Sequence, residues 1–164
     1  MNAITAAQPK DFLYGRAAAQ ARPRVSIIVP TYREAENVAP TVAAIERALG
    51  DIAWEIIFVD DDSPDGTVAA VRSLGERDGR VRVIRRVGRR GLAGAVIEGM
   101  MASAADIVAV IDADLQHDEA LLPKMLGAIE AGNADLVIAT RYAQSGDAQG
   151  GFSTLRRNAS TLAT

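Results

Sequence analysis

Short apolar runs alternate along the chain with stretches whose apolar residues recur at helical spacing. The runs are rich in β-branched residues and apolar at successive positions, as in strands of a parallel sheet covered on both faces. Five such strands are expected, at Val25–Val29, Glu55–Val59, Val81–Ile84, Ile107–Ile111 and Leu136–Ala139. Helices are expected between them, at Asn37–Leu49, Thr67–Arg77, Gly94–Ser103 and Leu121–Ala131. The alternation predicts an α/β fold with a doubly wound, mostly parallel sheet.

Residues 1–24 lack this periodicity and are rich in Ala, Gln, Arg and Pro. They are predicted to form a flexible extension ahead of one domain covering residues 25–164, since 164 residues with 49% apolar composition suffice for a single core. No run of about 18 apolar residues and no secretory signal pattern occurs. We therefore expect a cytoplasmic protein whose membrane contact is peripheral.

Composition narrows the possible functions. A net charge of −3 argues against a nucleic-acid-binding protein, which would carry a basic excess. The chain has no cysteine and a single histidine, His117, so thiolate and multi-histidine metal sites are excluded.

Polar residues follow the predicted strands where the site of a doubly wound sheet lies, at the carboxyl ends of the strands. Asp112, Asp114 and Gln116 follow the fourth strand at alternating positions and offer only oxygen atoms. Such a set suits Mg²⁺ or Mn²⁺, with a substrate diphosphate completing the coordination. The alternative is that Asp114 or Asp118 caps the following helix.

A second acidic cluster, Asp60-Asp61-Asp62, follows the second strand and leads into Ser63-Pro64-Asp65-Gly66. Part of it is turn chemistry, and Asp65 or Thr67 is suited to capping the next helix. A carboxylate at this position is also suited to accepting hydrogen bonds from the ring N–H groups of uracil or guanine.

Four motifs in order resemble those of family 2 glycosyltransferases. They are Pro30-Thr31-Tyr32-Arg33-Glu34 with Glu36-Asn37, Asp-Asp-X-Ser-Pro-Asp-Gly-Thr from Asp60, Asp-Ala-Asp-Leu-Gln-His from Asp112, and Thr140-Arg141-Tyr142. Within that family the chain is most similar to the dolichyl or polyprenyl-phosphate mannosyltransferase branch. The resemblance runs from about Arg24 to the last residue.

The resemblance implies a GT-A fold and metal-dependent transfer of a hexose, with inversion, from a nucleoside diphosphate sugar to a polyprenyl phosphate at the membrane surface. GDP-mannose is the favoured donor. UDP-sugar-dependent glucosyl transfer to undecaprenyl phosphate and a non-catalytic nucleotide-sugar-binding remnant remain as alternatives. The chain stops within what resembles an interfacial helix of the family, so a C-terminal part is expected to be missing, and the membrane contact is expected at the cytoplasmic face.

The resemblance also implies roles for individual residues. Val59 and Asp61 are expected to contact the nucleotide base, and Asp60 to brace their loop. The residues expected to bind the nucleotide sugar are Pro30, Tyr32, Glu34, Val59, Asp61, Asp112, Ala113, Asp114 and Arg141. The metal ligands are expected to be Asp112, Asp114 and Gln116. Asp114 and Arg141 are the catalytic candidates, and Arg157 and Ser160 the candidates for the acceptor phosphate.

An arginine-rich segment separates the third and fourth strands. Arg80 and Arg82 are interpreted as a solvated, charged strand edge, whereas for Arg89 and Arg90 contact with phosphate or anionic lipid is an equal alternative. A P-loop is excluded because no lysine follows the glycines after Arg90. A receiver domain is disfavoured because it would need a lysine late in the sheet, and neither Lys10 nor Lys124 lies there. A Rossmann dehydrogenase is disfavoured because Pro-Thr-Tyr, and not a Gly-rich turn, follows the first strand.

Overall fold

The protein folds around a four-stranded parallel sheet. The structure, a computed structural model, describes residues 22–132 and 134–140. Its strands are β1 (Val25–Thr31), β2 (Trp54–Asp60), β3 (Val81–Arg85) and β4 (Ile107–Val110). They lie in the order β3-β2-β1-β4, and each neighbouring pair is parallel. The predicted parallel α/β sheet is confirmed.

Four helices connect and follow the strands. They are α1 (Val38–Leu49), α2 (Thr67–Gly75), α3 (Leu92–Met101) and α4 (Leu122–Glu130), and a 3₁₀ turn at Glu119–Leu121 leads into α4. Each predicted helix is present, and its ends lie within two residues of the expected ones. None of the helices in the described residues is long and apolar enough to cross a membrane.

Alternate residues of the two central strands supply two separate cores. On one face, Val25, Ile27 and Val29 of β1 join Phe58 of β2 in a large cluster that α1, α2 and α4 cover. On the other face, a smaller cluster is covered by α3 and consists of Ile28, Ile57, Val59 and Ala95. Helices on both faces make the sheet doubly wound, as predicted.

Gly99 of α3 lies so close to the sheet that no side chain fits there. A Cβ at Gly99 would overlap Ile28 Cγ2 and lie 3.0 Å from Val59 Cγ2. We expect Gly99→Ala to destabilise the protein by about 1–3 kcal/mol through overpacking. Gly127→Ala in α4 is the matched control, since nothing lies within 4 Å of its Cβ, and we expect it to be neutral or stabilising. Urea unfolding of both variants tests this, and equal midpoints would contradict the tight packing of α3.

The predicted fifth strand, Leu136–Ala139, is wrong. Residues 136–140 form no strand, and the side chains of Leu136 and Ile138 are 75% and 74% exposed. The residues have high β-propensity, but propensity acts only where a neighbouring strand and a covered face are available. The segment instead lines, with β4 and α4, an apolar cavity of about 570 Å³. The expected burial on both faces likewise holds for β1 and β2, whereas β3 and β4 are edge strands with partly exposed residues.

A buried carboxylate ties the amino ends of the strands together. Glu55 of β2 accepts hydrogen bonds from the Ser26 hydroxyl (2.5 Å), the Ala104 backbone N–H (2.6 Å) and the Arg82 guanidinium (2.6 Å). Burial acts to raise the pKa of Glu55, but these hydrogen bonds and the Arg82 charge outweigh it and lower the pKa. The network lies at the edge of the sheet opposite the strands' carboxyl ends.

Glu55 is expected to make stability fall in acid. Because its pKa is lower in the folded state, its contribution is fully present above the unfolded pKa of about 4.3 and is lost as pH falls through the folded pKa. We expect the urea midpoint of the wild type to fall more steeply between about pH 5 and pH 3 than that of Glu55→Gln. Glu36→Gln, at an exposed position, is the control and should follow the wild type. Parallel curves for the wild type and Glu55→Gln would contradict the assignment.

Hydrogen bonds and ion pairs attach Arg22 and Arg24, just before β1, to the rest of the domain. The Arg22 guanidinium donates to the Ala104 carbonyl oxygen (3.1 Å) and pairs with Asp106 (2.6 Å). The Arg24 guanidinium pairs with Glu130 of α4, and the Arg24 backbone N–H donates to the Ala53 carbonyl oxygen (2.8 Å). These two arginines belong to the predicted extension, and the structure attaches both to the domain.

Candidate functional site

The strand order places a crevice between β1 and β4, where the direction of winding reverses. Pairing of β1 with β4 ends at Ile28 and Val110, and the last bond runs from the Ile111 backbone N–H to the Ile28 carbonyl oxygen (3.1 Å). Pro30 follows and has no backbone N–H to continue the ladder. The carboxyl ends of the two strands therefore separate, and ligands of open α/β sheets bind at such a point.

The loop after β2 is braced by a fully buried carboxylate. Asp60 accepts from the Ser63 backbone N–H (2.8 Å), the Ser63 hydroxyl (2.5 Å) and the Thr31 hydroxyl (3.3 Å). The Ser63 hydroxyl in turn accepts from the Arg33 backbone N–H (2.9 Å). Asp60 thus braces the loop, as the resemblance implied, and links it to the loop after β1.

A second set of bonds joins the same two loops. The Thr67 hydroxyl, fully buried, donates to Asp65 Oδ1 (2.6 Å) and accepts from the Glu34 backbone N–H (3.0 Å). The Thr67 hydroxyl lowers the pKa of Asp65, and backbone N–H groups of Thr67 and Ala35 add to the effect. The Glu34 carboxylate accepts from the Asn37 side-chain amide (2.6 Å). Hydrogen bonds therefore join the two loops into one rim at the carboxyl edge.

Asp61, the candidate for the nucleotide base, is held by the segment that follows β3. Its Oδ1 accepts from Arg86 Nη1 (2.5 Å), and its Oδ2 accepts from the Gly91 backbone N–H (2.6 Å). Arg86 is itself only 4% exposed, and it also bonds Glu98 (3.1 Å) and the Gly91 carbonyl oxygen (3.0 Å). Burial opposes the charge of the guanidinium, but Asp61 and Glu98 together raise the pKa of Arg86.

Tyr32 lies in the loop that follows β1, and two arginines approach its ring. Its side chain is 40% exposed, and the guanidinium carbons of Arg90 and Arg33 lie 4.8 Å and 5.4 Å from the ring centroid. These are cation–π distances. The arrangement gives the rim an aromatic surface with positive charge beside it, which suits an anionic ligand that carries a planar group.

The acidic pair after β4 lies on the opposite side of the crevice, exposed to solvent. Asp114 Oδ1 accepts from the Gln116 backbone N–H (3.0 Å), and Asp112 Oδ2 lies 3.3 Å from His117 Nε2. Asp112, Asp114 and Gln116 all have exposed side chains. The capping alternative holds for Asp118, which accepts from the Ala120 backbone N–H (3.1 Å) at the 3₁₀ turn.

The donors after β4 fit a divalent cation that takes other ligands from its substrate. Within residues 22–132 and 134–140, no three acidic, histidine or cysteine side chains are grouped so that they could hold an ion by themselves. Asp112 and Asp114 offer two exposed carboxylates, and Gln116 adds an amide oxygen. Mg²⁺ and ions like it commonly bind through one or two carboxylates together with substrate phosphates, so the donor set fits such an ion.

Two predicted nucleotide residues have their side chains in the apolar cores. Val59 is fully buried in the smaller core, and Ala113 is 2% exposed in the larger one. Their side chains therefore support the site from below and do not line it. Arg141, Arg157 and Ser160 lie outside the described residues.

The arginines of β3 and the following loop are all engaged. Arg80 pairs with Asp78 and Glu46 (2.7 Å each), and its guanidinium carbon lies 3.9 Å from the Trp54 ring centroid. Arg82 pairs with Glu55, far from the crevice. Both therefore lie at the charged, partly solvated edge of the sheet, as interpreted, and specific partners hold them there. Arg89 pairs with Glu98 (2.7 Å).

Three non-glycine residues at this edge have positive φ, and each lies in a turn that follows a strand. They are Arg33 (63°), Asp62 (62°) and Leu115 (57°). This left-handed conformation is uncommon for residues with a Cβ and clusters at functional sites. The loops after β1, β2 and β4 thus each contain one such residue.

Arg86 is the residue that sequence reasoning left without a role. It directly follows β3, at the same edge as the acidic clusters, and its backbone N–H donates to the Asp60 carbonyl oxygen (2.8 Å). The rule that drew attention to the acids at strand ends applies equally to this arginine. Glu98 was unassigned too, whereas Ser63 and Thr67 were expected only in turn and capping roles. The bonds that all three make here depend on contacts between loops.

Comparison with known proteins gives the family. The family model described as glycosyl transferase family 2 matches residues 26–160. The dolichol-phosphate mannosyltransferase of Pyrococcus furiosus is 42% identical over 123 residues, which cover 75% of this chain and 34% of that protein. The enzyme of the same name from Saccharomyces cerevisiae is 36% identical over 121 residues, covering 72% of this chain and 45% of that protein. The chain thus spans between a third and a half of these relatives.

Solved structures agree with the sequence comparison. A mannosyltransferase from Pyrobaculum calidifontis, solved with GDP-Man and Mn²⁺, is 30% identical, with a TM-score of 0.52 over 67% of this chain and 32% of that one. The mannosyl-3-phosphoglycerate synthase of Rubrobacter xylanophilus, at 24% identity and a TM-score of 0.54 over 65% of this chain and 36% of that one, shows the shared fold. The chain belongs to glycosyltransferase family 2 and has a GT-A fold, in the branch of the dolichol-phosphate mannosyltransferases.

Proposed function

We propose that this chain binds GDP-mannose with a divalent metal ion and belongs to an enzyme that transfers the mannose, with inversion, to a polyprenyl phosphate. One observation carries the proposal. The exposed carboxylates Asp112 and Asp114 lie at the same carboxyl edge as the Tyr32 rim and the braced carboxylate Asp61. Together they offer groups for a metal-bound diphosphate and for a base in one crevice.

Each side of the crevice has its own task in donor binding. Asp61 accepts from the base, because a carboxylate has lone pairs beyond those used by Arg86 and Gly91. Pro30, Tyr32 and Glu34 form the rim around the nucleotide, and Asp112, Asp114 and Gln116 hold the ion. When bound, the metal stabilises the negative charge that develops on the departing diphosphate.

The acceptor chemistry explains why the crevice needs no dedicated general base. A hydroxyl acceptor must lose a proton as it attacks, whereas a phosphate monoester, with a second pKa of about 6, arrives ionised. His117, the only histidine, contacts the metal-site residue Asp112, which suits an orienting role. Arg141 is proposed to contact a phosphate through its planar fork, and Arg157 and Ser160 are proposed to contact the acceptor phosphate.

The proposed domain covers residues 25–164, and the family match over residues 26–160 supports this extent. A polyprenyl acceptor resides in a membrane, so we also propose peripheral binding at the cytoplasmic face. The Pyrobaculum mannosyltransferase was solved with GDP-Man and Mn²⁺, which supports GDP-mannose over UDP-glucose as the donor and Mn²⁺ as an ion that the site accepts.

A transfer assay tests the proposed function. The chain would be incubated with radiolabelled GDP-mannose or UDP-glucose, Mn²⁺ or Mg²⁺, and a short-chain polyprenyl phosphate. We expect label from GDP-mannose in the organic phase only with a divalent ion, in the β-linked product that inversion of the α-linked donor requires. If label were transferred only from UDP-glucose, the donor would be UDP-glucose and not GDP-mannose. Tight donor binding without any transfer would restrict this chain to the binding step.

A further inference from the structure

The segment between β3 and α3 is organised around one buried guanidinium. Arg86 Nη1 bonds both Asp61 Oδ1 (2.5 Å) and the Gly91 carbonyl oxygen (3.0 Å), and Nε bonds Glu98 Oε1 (3.1 Å). The same Gly91 donates its backbone N–H to Asp61 Oδ2 (2.6 Å). A closed ring of bonds therefore joins the end of β2, the start of α3 and the side chain of Arg86.

The ring leaves the guanidinium little room to move. A Cβ at Gly94, in the first turn of α3, would lie 2.5 Å from Arg86 Nη2 and 3.4 Å from Cζ. The absence of a side chain at Gly94 thus creates the space in which the guanidinium lies. Since Arg86 is 4% exposed, any displacement within the protein would break bonds of the ring.

We propose that Arg86 is the positioning residue of the donor site, and that it holds Asp61 in the one orientation that reads a guanine base. This inference rests on the proposed function, because it takes Asp61 as the residue that contacts the base. Arg86 acts through Asp61 and does not itself contact the nucleotide. Gly94 is part of the same arrangement, since the absence of a side chain there provides the space for the Arg86 guanidinium.

The chemistry of the bases makes this role measurable. Guanine presents two adjacent donors, N1–H and the N2 amino group, that pair with both oxygens of one carboxylate. Uracil presents only N3–H, flanked by two carbonyl oxygens. A carboxylate fixed by a donor on each oxygen keeps both oxygens in register for guanine. Rotation or displacement of Asp61 therefore costs two hydrogen bonds with GDP and one with UDP.

The test compares the affinities of the full chain for GDP and UDP, each with Mn²⁺, by isothermal titration. The variants are Gly94→Ala, which keeps every charge and favours the helix, and Arg86→Lys, which keeps the charge but cannot bond Asp61, Gly91 and Glu98 together. Gly127→Ala is the matched control, because its added Cβ meets no atom within 4 Å. Melting temperatures show whether each variant is folded.

We expect Gly94→Ala and Arg86→Lys to weaken GDP binding by about tenfold or more and UDP binding clearly less, since each lost charge-assisted hydrogen bond is worth about tenfold. Gly127→Ala should bind as the wild type does. If both variants keep the wild-type ratio of GDP to UDP affinity, Arg86 has only a structural role and the inference is overturned while the proposed function stands. If the wild type binds neither nucleotide, the proposed function fails and this inference fails with it.

Discussion

Asp114→Asn is expected to lower the affinity for GDP-mannose in the presence of Mn²⁺ by about 100-fold or more. The substitution keeps the size of the side chain and the oxygen that accepts from the Gln116 backbone N–H, but it removes one of two charges offered to the ion. Because Asp114 is exposed, the unfolding free energy should change by less than about 0.5 kcal/mol. Isothermal titration and urea unfolding measure the two quantities.

Asp118→Asn is the matched control for this prediction. Asp118 lies in the same loop and is exposed, and it caps the 3₁₀ turn through the Ala120 backbone N–H. Its replacement should leave Mn²⁺-dependent binding unchanged. If Asp114→Asn and Asp118→Asn bind GDP-mannose equally well, the acidic motif after β4 is structural and the metal site lies elsewhere.

Asp61→Asn is expected to lower the melting temperature by about 10 °C, because it leaves a buried guanidinium without its main counter-charge. Asp61 meets two donors, Arg86 Nη1 and the Gly91 backbone N–H, on different oxygens. An asparagine has only one acceptor oxygen, so one of these donors would face its amide N–H groups. Binding of GDP should be lost as well, since the same side chain is proposed to accept from the base.

Asp62→Asn is the control that shows whether the loss of melting temperature in Asp61→Asn comes from the burial of the ion pair or from the loss of charge alone. Asp62 pairs with Arg85 (2.5 Å), whose side chain is half exposed, and asparagine tolerates the positive φ of this position. Exposed pairs contribute little, so the melting temperature should fall by less than about 2 °C. Differential scanning calorimetry compares the two variants. Equal decreases in melting temperature for the two variants would contradict the claim that the buried Asp61–Arg86 pair stabilises the protein.

The sheet was predictable because the sequences of its central strands are themselves diagnostic of buried strands. β1 and β2 are apolar at nearly every position and buried on both faces, so the pattern identifies them without knowledge of their partners. Leu136–Ala139 has the same composition and forms no strand. Its sequence gives propensity, but pairing depends on what lies beside β4, and a pattern within the segment does not contain that information.

The candidate site was predictable where position along a strand determines chemistry. Asp112 and Asp114 follow β4 and Asp60 ends β2. Because parallel strands end at a common edge, the order of strands and acids along the chain was enough to predict that these residues lie at one edge. The engagement of Asp61 by Arg86 depends on a contact across 25 residues of sequence. Space at Gly94 and the positive φ of Leu115 likewise arise only in the folded chain.

The most direct test of a metal-dependent donor site is titration of GDP-mannose into the full chain, first with Mn²⁺ and then with the metal chelated. We predict saturable one-to-one binding with Mn²⁺ that weakens by about 100-fold or more on chelation and is competed by GDP. Equal binding with and without the ion, or none to a cooperatively folded protein, would contradict the assignment of this crevice to a metal-bound nucleotide sugar.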